Sequence, residues 1–164
     1  MISMPIAGAW LSSLKNPNKQ LWSVALQLFE AVGFMHDHNV AHMDLKPQNI
    51  VIPPAGGRLS IIDFSVSIRV TGPDAKYAGA VGTEGYMAPE VHKGQYKPML
   101  ADLWSCGRTL EELCSRCNHS AERAELLEIA RQLMDREPAA RPKMSTVLKR
   151  VAPAQQCEAS STLE

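Results

Sequence analysis

Apolar residues recur at helical spacing in three stretches: Leu21, Val24, Ala25, Leu28, Val32 and Met35; Leu100, Leu103, Trp104, Leu110 and Leu113; and Leu126, Leu127, Ile129, Ala130 and Leu133. Each series lays an apolar stripe along one face of a helix, and the three stripes leave water together only by packing on one another. A mainly α fold follows. Asn18 is placed to cap the first helix, and a fourth, shorter helix is expected near Met144 to Val151. Between the first two stripes the pattern changes. Asn49 to Ile52 and Leu59 to Ile62 are β-rich and are joined by the turn-like Pro53-Pro54-Ala55-Gly56-Gly57, which predicts a small β-hairpin. Ser65 to Gly85 is glycine-rich without periodicity and reads as a long loop, expected to be mobile or variably placed, of a length that usually signals function. Residues 1–152 are expected to form one domain, and residues 153–164 a polar, disordered tail.

Composition narrows the function classes. The chain has 164 residues, 45% hydrophobic and 21% charged, which suits one soluble core. Seventeen basic residues balance seventeen acidic ones, so no overall field draws it to nucleic acid or to an anionic membrane. No apolar run reaches the ~18–20 residues of a membrane helix, and Met1 to Leu14 lacks the basic start of a secretory signal. A cytoplasmic or nuclear protein, not a secreted one, is expected. Cys106, Cys114, Cys117 and Cys157 are too unevenly spaced for a disulfide framework. Cys114 and Cys117 form a CxxC with His119 beyond it, but no second ligand pair completes a zinc site, so two thiols at a helix end are expected.

Three motifs carry the chemistry. His42-Met43-Asp44-Leu45-Lys46-Pro47-Gln48-Asn49 resembles the catalytic loop of protein kinases, H-R-D-L-x-x-x-N, with Met43 as the departure. Asp63-Phe64-Ser65 resembles the magnesium-binding D-F-G, with serine in place of glycine. Gly82-Thr83-Glu84-Gly85-Tyr86-Met87-Ala88-Pro89-Glu90 closes the series on A-P-E. Singly each is weak. Their shared order, with a hairpin between the first two and a loop between the last two, makes chance clustering of surface polar residues a poor rival. Lys46 two residues past Asp44, with Gly82-Thr83 ahead of Tyr86, resembles the serine/threonine branch.

The resemblance implies a protein-kinase-like C-lobe, mainly α with small β-hairpins. It implies Asp44 as the group that accepts or orients the substrate hydroxyl proton, Lys46 as a cation near the transferring phosphate, and Asn49 and Asp63 as oxygen ligands of Mg²⁺. Val51 would lie beneath the adenine of ATP, Phe64 would pack toward an N-lobe helix, and Met4 and Ile6 would belong to the hinge. Asp102 resembles the buried aspartate that ties down the catalytic loop, and Arg141 the arginine that pairs with Glu90. The stretch from Asp102 to Arg141 is short for the family, so the intervening docking helix is expected to be reduced.

Two departures bear on regulation. Met43 cannot meet an activation-loop phosphate as arginine does, and between Gly72 and Gly82 the only hydroxyl belongs to Tyr77. Ser65 is expected to stiffen the D-F-G turn by denying it positive φ.

No glycine-rich phosphate loop and no V-A-I-K lysine occurs before His42, so the chain resembles a C-lobe with the N-lobe absent. ATP and Mg²⁺ are implied, with weak or absent binding by these residues alone. Two functions stay open: the catalytic half of a serine/threonine kinase acting on a protein substrate, or a truncated kinase-like or pseudokinase binding module acting through protein–protein contacts. The face that an N-lobe covers is expected to be capped by a partner, by the N-terminal segment or, in the purified chain, by self-association into a homo-oligomer.

Overall fold

The computed structural model of the chain describes residues 9–10, 14, 17–53, 57–72 and 74–152. The hinge-like Met4 and Ile6, Cys157 and the 153–164 tail lie outside the described residues. Among the described residues four α-helices and five short strands follow in order: β1 (Ala9–Trp10), α1 (Pro17–Asp37), β2 (Val40–Ala41), β3 (Ile50–Ile52), β4 (Ser60–Ile61), β5 (Ile68–Arg69), α2 (Pro98–Ser115), α3 (Ala121–Leu133) and α4 (Met144–Val151). The architecture is mainly α with small antiparallel strand pairs, as the periodicities predict.

The three apolar stripes form one core. α1 buries Leu21, Val24, Leu28, Phe29 and Val32, and α2 adds Leu103, Cys106, Leu110 and Leu113. Leu126, Ile129 and Leu133 of α3 and Met144, Val147 and Val151 of α4 join the same cluster. α2 and α3 approach closely at Gly107, where a Cβ would stand 2.8 Å from Met134 Cγ and 2.9 Å from the Ala130 carbonyl oxygen. No helix among the described residues is long and apolar enough to cross a membrane.

The predicted hairpin is β3 with β4, in the register Ile50↔Ile61 and Val51↔Ser60, and β1 adds a third strand against β3. Two expectations need correction. α1 opens on Pro17, whose fixed φ suits a first helical turn, so Asn18 lies inside the helix rather than capping it. The Asn18 Oδ1 instead accepts the Asn118 backbone N–H at 2.6 Å. The Ser65–Gly85 stretch also carries structure that lack of periodicity conceals: β5 pairs with β2, and Tyr77 forms a β-bridge with Tyr96. Pairings of one or two residues are set by the partner strand and leave no local pattern.

Cys106, Cys114 and Cys117 are buried free thiols. Burial pushes Cys106 upward beyond the ordinary thiol range and Cys114, with the neighbouring Cys117 adding to the effect, to about 11. No group of three or more metal-ligating side chains occurs among the described residues.

Candidate active site

The loop after β2 is fixed from beneath. Asp102, fully buried on α2, accepts the His42 N–H on Oδ2 at 2.6 Å and the Met43 N–H on Oδ1 at 2.8 Å, while His36 Nε2 stands 3.2 Å from Oδ2. Held so, Met43 takes a left-handed φ of 68°, a conformation that costs a side-chain-bearing residue energy and persists when its surroundings over-determine it. The buried His42 ring then works in two directions. Its Nε2 donates to the Ile62 carbonyl at 3.0 Å and its Nδ1 accepts the Asp44 N–H at 3.2 Å, which together specify the Nε2–H tautomer. One ring thereby fixes the backbone before Asp63 and that of Asp44.

A 3₁₀ turn at Pro47–Asn49 leads the chain into β3 and brings Asn49 back onto the loop. Asn49 Nδ2 donates to the Asp44 carbonyl at 2.8 Å and to Asp44 Oδ2 at 3.1 Å. Among the described residues no donor meets its Oδ1. Lys46 Nζ lies 2.9 Å from Asp44 Oδ2 and donates to Thr83 Oγ1 at 2.6 Å, and that hydroxyl donates to Asp44 Oδ1 at 2.6 Å. Partial burial alone would raise the Asp44 pKa. The Thr83 hydroxyl, the Lys46 ammonium and the Asn49 amide outweigh it and hold the carboxyl below the usual range.

The predicted site residues therefore fall into three groups. Asp44, Lys46 and Asn49 form one bonded cluster. Asp63 is exposed, has φ 63° and reaches this cluster through its backbone neighbour, since the Ile62 N–H donates to the Asn49 carbonyl at 2.9 Å. Val51 is a buried residue of β3, two positions past Asn49 and outside the polar cluster. The side chain and N–H of Ser65 hydrogen-bond to Asp63 and hold its carboxyl low. The left-handed residue of the Asp63-Phe64-Ser65 turn is Asp63, and Ser65 itself does not take positive φ. Phe64 is 46% exposed and meets the His42 ring edge-on, with centroids 4.8 Å apart.

α2 also fixes the far side of the cluster. Gly82, at φ 112°, lies so close to the loop that a Cβ would stand 2.6 Å from the Met43 carbonyl oxygen. Beyond Thr83, Arg108 Nε donates to the Gly85 carbonyl at 3.2 Å and Ser105 Oγ to the Tyr86 carbonyl at 2.8 Å. The Tyr86 hydroxyl donates to Glu112; partial burial and that acceptor push its pKa up to about 12. Glu90 and Arg141 form the expected pair, two-pronged at 2.6 and 2.9 Å, with Arg141 over the Trp104 ring at 5.2 Å. Sequence reasoning missed His36 and His42. Both carried a signal, His36 in the last turn of an amphipathic helix and His42 at the head of the catalytic-loop motif, but neither suggests a structural role without its partner.

Comparison with known proteins places this geometry. The family model described as protein kinase domain matches residues 10–156. Serine/threonine-protein kinase HAL5 of Saccharomyces cerevisiae (strain YJM789) is 45% identical over 87 residues, 49% of this chain and 10% of that protein. A probable serine/threonine-protein kinase HAL5-like of Eremothecium gossypii is 47% identical over 87 residues, covering 49% of this chain and 13% of its own length. Probable serine/threonine-protein kinase KKQ8 of S. cerevisiae (strain YJM789) is 46% identical over 87 residues, covering 49% and 12%. The chain thus spans about a tenth of the length of the curated relatives it matches.

Proposed function

This chain belongs to the protein kinase domain family, and we propose from that premise that it supplies the catalytic-loop and magnesium-binding face for ATP-dependent phosphoryl transfer to serine or threonine hydroxyls of a protein substrate. The observation that carries the reading is the Asp44 carboxylate, held ionised by Thr83, Lys46 and Asn49. A carboxylate so placed accepts and orients a hydroxyl proton while Lys46 offers positive charge beside it. The donor types suit Mg²⁺: the exposed Asp63 carboxylate and the Oδ1 of Asn49 are hard oxygens, and the bond from the Ile62 N–H to the Asn49 carbonyl ties the backbone before Asp63 to Asn49. Bound Mg²⁺ would offset charge on the phosphate oxygens. Asn49 uses its Nδ2 to fix Asp44, so one side chain would align the base and the metal.

Within these 164 residues nothing before His42 resembles a glycine-rich phosphate loop, so nucleotide meets one wall and transfer by the chain alone is expected to be slow. The test is label transfer from γ-labelled ATP to a serine- and threonine-containing peptide at high chain concentration. Asp44→Asn is expected to lower the rate by about 10²-fold or more. An undiminished rate, or label found on tyrosine, contradicts the proposal.

A second reading, a protein-binding module, is favoured by a specific surface. Phe34 and Phe64, 66% and 46% exposed, line one groove between α1 and β4 together with Ala31, Leu59 and Ile61, with a volume near 780 Å³. Exposed apolar surface of this kind marks contact sites. On this reading the purified chain self-associates at tens of micromolar in sedimentation and Phe64→Ser reduces it. A clean monomer unchanged by that substitution removes its support.

A further inference from the structure

The contact between Thr83 and Asp44 needs the whole preceding segment to arrive at one place, and that segment contains no serine or threonine between Gly72 and Gly82. Two phenols close it. Tyr77 and Tyr96 exchange backbone hydrogen bonds, 2.9 Å in each direction. The Tyr77 hydroxyl donates to the Arg69 carbonyl at 3.0 Å and accepts the Thr71 N–H at 3.3 Å, which ties the segment to the end of β5. The Tyr96 hydroxyl donates to the Gly79 carbonyl at 3.0 Å, three residues before Gly82, and Lys97 Nζ donates to Asp74 Oδ1 at 2.8 Å.

The anchor for these bonds is apolar. Tyr96 is 3% exposed and shares a buried cluster with Met43, Val70, Ala88, Val91 and Ala101. Met43 belongs to the catalytic loop, and its carbonyl oxygen abuts Gly82. Side chain and backbone of one residue thus touch both the latch and the turn that delivers Thr83. A thioether buried among hydrocarbon side chains keeps its contacts whatever the charge state of the surroundings. The raised Tyr96 pKa, caused by burial and by Asp102, keeps its hydroxyl a donor.

We infer that Tyr77 and Tyr96 are positioning residues that latch residues 68–72 and 74–83 onto the Met43 cluster and so present Thr83 to Asp44 without a phosphate on the segment. The latch itself stands on contacts alone; its consequence for phosphoryl transfer rests on the proposed role of Asp44.

The experiment measures, in the purified chain shown by mass to be unphosphorylated, amide hydrogen exchange beside the nuclear Overhauser contact between the side-chain protons of Thr83 and Asp44. The unsubstituted chain is expected to show that contact, as the 2.6 Å hydrogen bond between the two side chains requires. The double substitution Tyr77→Phe, Tyr96→Phe is expected to lower its intensity at least twofold and to speed exchange of the Tyr77 amide at least tenfold. The His42 and Met43 amides, held by Asp102, should keep their protection, which separates an opened latch from an unfolded chain. If the double variant does not fold, Tyr77→Phe alone and Asp74→Asn carry the same readouts. The proposal is overturned if the folded variants leave either the Thr83–Asp44 contact or Tyr77 exchange unchanged. It is equally overturned if the unphosphorylated, unsubstituted chain lacks the Thr83–Asp44 contact. Retained transfer in Asp44→Asn would remove the catalytic reading and leave the latch standing, so the two failures are distinguishable.

Discussion

Asp102→Asn is expected to cost roughly 3–5 kcal/mol of folding stability, measured as a shift in the urea midpoint. Asp102 is fully buried and its two carboxylate oxygens receive the His42 and Met43 amides, with His36 as a third neighbour. Asparagine presents one oxygen and one NH₂, so an N–H must face an N–H at one position. Leaving a buried donor unmet costs about 1–3 kcal/mol, more where the lost partner is charged. Against a typical total of about 5–15 kcal/mol this is a large fraction. The consequence at the site exceeds the stability loss. Met43 keeps its left-handed conformation because its N–H is held, and Asp44 follows it. Amide exchange at His42 and Met43 should therefore accelerate more than exchange in the middle of α1, where Leu28 and Phe29 are fully buried.

The second large effect is expected at Arg141. Its guanidinium meets both Glu90 oxygens and also donates to the carbonyls of Leu100 at 2.7 Å and Asp135 at 2.9 Å. The Arg141 side chain is fully buried, and that of Glu90 is 15% exposed. Arg141→Met strands the carboxylate and two carbonyls together and is expected to cost about 3–5 kcal/mol. Glu90→Gln should cost less, because the cation retains its two carbonyl acceptors and the Trp104 face. Denaturant unfolding of the two variants side by side checks both the size and the order of the effects.

These residues also show what a sequence discloses. The helices were legible because burial on one face imposes a period of 3.6, as in Leu21, Val24, Leu28 and Val32, and α4 lies at Met144 to Val151 as predicted. The pairing of Glu90 with Arg141 and the anchoring by Asp102 were legible by resemblance alone, since no local pattern links residues 51 or 60 positions apart. Asn18 was misread because its partner, the Asn118 amide, is 100 residues away. The order within Ser65–Gly85 was hidden because it depends on single contacts: a two-residue strand against β2, one bridge to Tyr96 and a lysine on Asp74. His42 was missed because its value lies in joining a local bond from the Asp44 N–H to one with the Ile62 carbonyl, 20 residues away, which no local pattern links.

Whether Asp44, Asn49 and Asp63 form one face for a metal-bound nucleotide is tested most directly by adding Mn²⁺ with ATP to the nitrogen-15-labelled chain and mapping paramagnetic line broadening. Weak binding suffices, because broadening requires only a small bound fraction in fast exchange. The expected result is broadening centred on the amides of Asn49 and Asp63, reaching Asp44 and Lys46, and abolished by Asp63→Ala in a chain whose remaining spectrum is unchanged. Broadening centred elsewhere, or an identical pattern in Asp63→Ala, would contradict the assignment of this face to phosphoryl transfer.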